Sequence, residues 1–297
     1  MHKHLFPVVA LIFLCSCASP QKPLAYVHKA SSIPDNAVFA LKLPATPVVY
    51  NGEVSYDNAG APTGQMLYPA PTAGAFLAAI MTHAVVADSM QSAEKTKLQD
   101  AANGVVSGYR ETLRDFTHAE LGASSLKSTG VAAGKLTLWN PDQPVTADLI
   151  LESRPTFILS QDRGTLMLQN TVAAYPVGHP DKIVYQNIIE VVSDIVTDSD
   201  LNRYWNRNNG EPMKQLSAKL LADSLRMAID DADRESGPDA QNHAYQTVHY
   251  QQGAVEKIER AELVARDCDR MTLRTLRGWL RSVPVVAGAS ATDCTSH

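Results

Sequence analysis

From Lys135 onward the hydrophobic period of this chain switches to two, and that alternation does most to limit the folds open to it. Thr137 and Trp139, then residues 147–151, 156–159, 165–173 and 183–191, place apolar or β-branched side chains at every second position. Such spacing suits half-buried strands. Between the runs stand Asn140-Pro141-Asp142, Arg154-Pro155, Asp162-Arg163-Gly164 and Gly178-His179-Pro180, all turn formers. The region therefore predicts successive strands of an antiparallel meander.

Helical spacing flanks it on both sides. Thr72 caps a predicted helix whose stripe is Phe76, Ile80, His83, Val86 and Met90, continued by Leu98, Val105, Tyr109, Leu113 and Phe116. One helix over residues 73–118 would be roughly 70 Å long, so a break is expected near residues 89–92 or at Gly104/Gly108. Glu211-Pro212 opens a second helix with stripe Met213, Leu216, Leu220, Leu221, Leu225, Ala228 and Ile229, and Gly237-Pro238 ends it. Upstream, residues 37–58 alternate, and Asn51-Gly52 between two β-prone runs signals a hairpin. Residues 244–251 predict another strand.

Residues 255–286 read two ways. Arg266, Arg270, Arg274, Arg277 and Arg281 recur at helical spacing, whereas Thr272, Thr275, Trp279, Val283, Val285 and Val286 favour strands with a turn at Arg277-Gly278. The strand reading is preferred. The expected class is α+β: a mainly antiparallel sheet with two principal helices packed on one face.

The first seventeen residues carry an address. His2, Lys3 and His4 precede an apolar run over residues 5–14, which ends in Leu14-Cys15-Ser16-Cys17. The run is too short to span a bilayer and has the order of a secretory signal. Leu14, Ser16 and Cys17 resemble the lipobox of bacterial lipoprotein precursors. That resemblance covers the leader alone and implies cleavage before Cys17, with acyl chains on its thiol and new amino group. Residues 1–16 are then the signal peptide, 17–36, with Pro20, Pro23 and Pro34, a lipidated tether, and 37–297 a single domain. Ala18 after the cysteine implies outer-membrane residence, facing the periplasm by default. In an oxidising compartment Cys268 and Cys294 are expected to pair. Their bridge would close a loop of about 26 residues, for about 3 kcal/mol.

Loss of Lys3 with the leader leaves 25 basic against 31 acidic residues, a net −6. An acidic body argues against nucleic acid as partner. No Gly-x-Ser-x-Gly, phosphate loop, dinucleotide fingerprint or His-Glu-x-x-His occurs, so no catalytic residue, metal or cofactor is assigned. Asp198-x-Asp200-x-Asn202 opens like a calcium loop, but Arg203 and Asn209 replace its glycine and its bidentate glutamate. A polar loop before the second helix is expected instead. His243 and His249 would lie about 20 Å apart on one strand, too far to share a metal. His83 falls on the apolar side of its helix, and His118 and His179 in cap or loop positions.

Residues 58–87 carry no formal charge. Their helical part covers only about 22 Å of the roughly 30 Å hydrocarbon core, so a core helix or an oligomer contact is expected. The arginine series is a solvated face paired with acids such as Glu259 and Glu262, or else an anion site for lipid headgroups or an acidic envelope partner. Function is expected to be binding or assembly at the envelope, through the lipid and a second copy or an envelope protein. The alternative is an anchored enzyme acting on an envelope polymer through carboxylates.

Overall fold

The computed structural model describes residues 28–29, 33–34, 36–53, 92–128, 130–131, 134–233, 244–253 and 255–285. In chain order its strands are β1 (His28–Lys29), β2 (Phe39–Lys42), β3 (Val49–Gly52), β4 (Leu136–Leu138), β5 (Leu149–Leu159), β6 (Leu166–Pro176), β7 (Tyr185–Val192), β8 (Tyr245–Gln252), β9 (Val255–Arg266), β10 (Arg270–Thr275) and β11 (Leu280–Pro284). The helices are α1 (Ser92–Ser107), α2 (Arg110–Leu113), α3 (His118–Leu126) and α4 (Leu201–Asp233). The strands form one mixed, mostly antiparallel sheet in the order β4-β2-β5-β6-β7-β11-β10-β9-β8, with β1 also beside β7 and β3 also beside β5. The class is α+β, as the alternation implies.

β5, β6 and β7 form the predicted meander, but the Thr137 strand expected to open it, β4, lies instead at the sheet edge, parallel to β2 and separated by it from β5. β5 runs unbroken through Arg154-Pro155, where a turn was expected, and Pro155 sits opposite Asn170. β2 pairs with β5 up to Glu152 and β3 pairs with it from Thr156. Among the described residues, 153–155 thus lack a neighbour on that side, the position where a residue without an N–H is tolerated.

Asn51-Gly52 is likewise no hairpin turn. Both residues lie inside β3, parallel to β5. A Cβ on Gly52 would stand 2.2 Å from the Ala102 carbonyl oxygen and 2.6 Å from Val105 Cβ. The glycine is there because α1 crosses the strand in contact with its backbone. α1 stops at Ser107, with Gly108 and Tyr109 forming a turn before α2, as one of the expected break points implies. The helix expected over residues 73–90, with Phe76, Ile80, His83, Val86 and Met90, lies outside the described residues.

α4 begins earlier than expected, at Leu201. It is interrupted at residues 207–210, where Asn208, Asn209 and Gly210 take positive φ of 47°, 59° and 78°. Asn and Gly tolerate that left-handed region best. Helical geometry resumes at Glu211-Pro212, the predicted start. The Asp198-Asp200 run is a turn and a helix cap: Asp198 Oδ1 accepts from the Asp200 N–H and Asp200 Oδ1 from the Arg203 N–H, each at 3.0 Å.

One core lies between the helices and one sheet face. Val105 and Val106 of α1 and Met213, Leu220, Leu221, Leu225, Ala228 and Ile229 of α4 meet Phe157, Leu159, Leu166, Leu168, Ile189 and Val191. Polar contacts fix α4 along that face. The Asn170 amide donates to Ser224 Oγ at 2.7 Å, while Tyr185 Oη, Asn187 Nδ2 and Arg274 Nη2 donate to Asp231 at 3.0, 3.2 and 2.8 Å. A second core lies on the opposite face, where β8 to β11 curl over Ile158, Met167 and Val192.

His118 opens α3 beside its cap, Thr117, and is 2% exposed. Its Nδ1 lies 2.5 Å from the Thr46 carbonyl oxygen, and its Nε2 has no partner among the described residues. Burial lowers its pKa below the ordinary 6.5, opposed by the Thr46 contact. The unfolded chain therefore binds the proton more tightly. The stabilising preference for neutral His118 is complete above pH 6.5 and is lost as pH falls toward the lowered folded value. Urea midpoints taken on both sides of pH 6.5 should show this slope, and His118→Gln should flatten it. An identical slope in the variant would assign it to other groups.

Candidate functional site: a basic cleft beside a buried ion network

Alternation in β11 turns Leu280 to the helices and Arg281 to the opposite face. There its register partner across the parallel β7 pairing is Glu190. Arg281 Nε donates to Glu190 Oε2 at 2.7 Å and Nη2 donates to the same oxygen. Gln169 Nε2 of β6 donates to Glu190 Oε1 at 3.1 Å, so both carboxylate oxygens are engaged. Arg281 Nη1 reaches across the curl to Tyr250 Oη of β8 at 2.8 Å and to Glu259 of β9.

Glu190 is fully buried and the Arg281 side chain is 8% exposed. Burial works against the Arg281 charge, but Glu190, Tyr250 and Glu259 hold its pKa above the ordinary guanidinium value. Burial pushes Tyr250 up to about 12 against the pull of Arg281. It also raises Glu259 despite the same cation.

Above this network opens a cleft of about 290 Å³. Tyr250 and Arg281 line it with residues 257–260 of β9 on one side, and Thr275, Leu276, Arg277 and Trp279 on the other. Ile258 and Leu276 are exposed at 66% and 64%. Trp279 is buried, its indole N–H has no acceptor among the described residues, and the Arg277 guanidinium lies 5.2 Å from its ring centre. Lys257 and Arg260 make no ion pair among the described residues, whereas Glu259 is closed onto Arg281. The lining of the cleft carries four cationic side chains against one carboxylate, although the chain is acidic.

The five arginines of the sequence do not converge. β9, β10 and β11 are strands, with the turn at Arg277-Gly278 as expected. Arg266 is exposed at the end of β9. Arg270 donates to the Val192 carbonyl oxygen at 2.6 Å and lies 3.5 Å from Asp194. Arg274 turns to α4, between Asp231 at 2.8 Å and Glu262 at 3.5 Å. Only Arg277 and Arg281 belong to the cleft, and Arg281 is held by carboxylates.

Lys257, Arg260, Trp279, Tyr250 and Glu190 were not singled out by the sequence. Glu190 carried a signal: one carboxylate inside Ile188-Ile189-Glu190-Val191-Val192 must find a cation if the strand is buried. Cys268 is exposed in the turn between β9 and β10, and Cys17, Cys294 and His243 lie outside the described residues. His249 pairs with Glu256 on the surface at 2.8 Å.

Among the described residues no group of three or more His, Cys, Asp or Glu is placed to hold a metal ion. No described helix is long and apolar enough to cross a membrane. No protein-family model, curated protein or solved structure matches this chain.

Proposed function

We propose that this protein is a lipid-anchored component of a bacterial envelope, held at the outer membrane by acyl chains on Cys17, and that it acts by binding a partner. The leader ending in Leu14-Cys15-Ser16-Cys17 carries the anchor. Support for binding comes from the cleft, whose one acidic lining residue, Glu259, is closed onto Arg281, leaving Lys257, Arg260 and apolar groups to face a ligand.

Acyl chains contribute about 0.8 kcal/mol per buried methylene, so three chains hold a protein at a membrane durably. Cys17→Ser should abolish incorporation of labelled palmitate and processing at that site, while Cys15→Ser should still yield the mature lipidated form. Recovery of the wild-type protein in a soluble periplasmic fraction without detergent would overturn the anchor. The same preparation, thiol-trapped without reductant, should show Cys268 and Cys294 blocked by their mutual bridge. Two trapped thiols would refute that pairing.

A second reading, an anchored enzyme working through carboxylates, draws on the same cluster. Glu190 and Glu259 converge on one cation and Glu259 is raised by burial, a pattern that can separate an acid from a base. It is the weaker reading because Arg281 bonds directly to both.

A further inference from the structure

β9 is longer than either of its neighbours, and the surplus lies at the cleft. It pairs with β8 over residues 255–262 but with β10 only over residues 261–266. Residues 255–260 therefore have a strand on one side only among the described residues. Two residues link Gln252 to Val255, which makes that pair the closing hydrogen-bonded pair of the hairpin. Alternation then directs the peptide groups of Lys257 and Glu259 to β8. Those of Glu256, Ile258 and Arg260 point the other way, into the cleft.

An open edge is commonly protected by charge, so the charges here decide the reading. Glu256 is held by His249 and Glu259 by Arg281. Arg260 and Lys257 make no ion pair within 4 Å among the described residues, although Lys257 acts at longer range on the Glu53 carboxylate, and Arg277 and the buried Trp279 form the far wall. Exposed Ile258 and Leu276 supply an apolar rim. A row of peptide groups, two cations without a close ion pair among the described residues and apolar contacts at strand spacing fits one kind of ligand.

We propose that an extended, acidic segment of a partner protein adds to β9 as a strand along residues 256–260. Its backbone bonds to the peptide groups of Glu256, Ile258 and Arg260, its carboxylates meet Arg260 and Lys257, and an apolar residue rests on Ile258. This gives the binding role proposed above its mode and its ligand chemistry, and rests on that reading.

The test is to pan a random peptide library on the full-length protein in detergent, then measure the enriched peptides by fluorescence anisotropy. Sequences alternating Asp or Glu with β-branched residues should be enriched, and salt should weaken their binding. Ile258→Pro removes an N–H that faces the cleft and none that faces β8, so the hairpin should remain while affinity falls about tenfold or more. Arg260→Glu, an exposed change with no packing cost, should cause a loss of about the same order, and Ile258→Val should bind as wild type.

Enrichment without acidic bias would overturn the proposal, as would affinities indifferent to both Ile258→Pro and Arg260→Glu. So would capture of anionic phospholipid vesicles through Lys257 and Arg260 with no peptide enriched. Peptides that bind but ignore both changes would strike down strand addition while leaving a binding role. Failure of the anchor would appear separately, as a protein soluble without detergent.

Discussion

Arg281→Ala should destabilise the fold by about 3–5 kcal/mol, the range for removing one partner of a buried ion pair. The arginine neutralises Glu190, which is 0% exposed and among the described residues has only the Gln169 amide as another side-chain polar contact. Its removal leaves a carboxylate in the sheet between β6 and β11, with Tyr250 and Glu259 losing their shared donor. The expected result is a large drop in urea midpoint. A double change, Arg281→Met with Glu190→Leu, should recover most of the loss, because apolar residues of similar size often replace such pairs at little cost. A single variant within about 1 kcal/mol of wild type would refute the dependence of the buried carboxylate on the arginine.

Gly52→Val should have the next largest effect, about 3 kcal/mol, at the upper end of the usual cost of overpacking. A Cβ at 2.2 Å from a backbone oxygen meets no flexible side-chain end that could swing away. Either β3 leaves β5 or α1 lifts from β3, and both remove Val105 and Val106 from the core. Circular dichroism and urea denaturation should both register the change. Gly104→Ala, in the last turn of α1, is the contrasting case. Its Cβ meets nothing within 4 Å, so the substitution should add about 0.5–1 kcal/mol through helix propensity. Equal behaviour of the two variants would refute the close crossing of α1 over β3.

The local periods of the sequence were a good guide to its elements and a poor guide to their neighbours. The meander, the restart of α4 at Glu211-Pro212 and the Arg277-Gly278 turn each depend on residues a few positions apart. Pro155 and Asn51-Gly52 misled because both depend on what lies beside a strand: a gap between β2 and β3 in one case, a helix in the other. The site was harder still. Glu190 and Arg281 are separated by 91 residues, and Lys257 and Arg260 gain meaning only because β10 stops short of them. The arginine spacing that looked helical arises from three strands and a turn, which send Arg274 and Arg281 to opposite faces.

The parallel pairing of β11 with β7 bears on when this molecule can become whole. β7 borders β6 on one side; on the other it meets β11, with β1 beside only its first residues. The strands β8, β9 and β10 lie between β7 and β11 in the chain but beyond β11 in the sheet. The last described strand is thus a central one, joining the two halves of the sheet. A polypeptide emerging N-terminus first leaves this edge of β7 bare, and Glu190 without its cation, until β11 has emerged some ninety residues later. Such late, long-range closure is slow, so the exposed edge of β7 is the part of the folding chain most open to mispairing until β11 arrives.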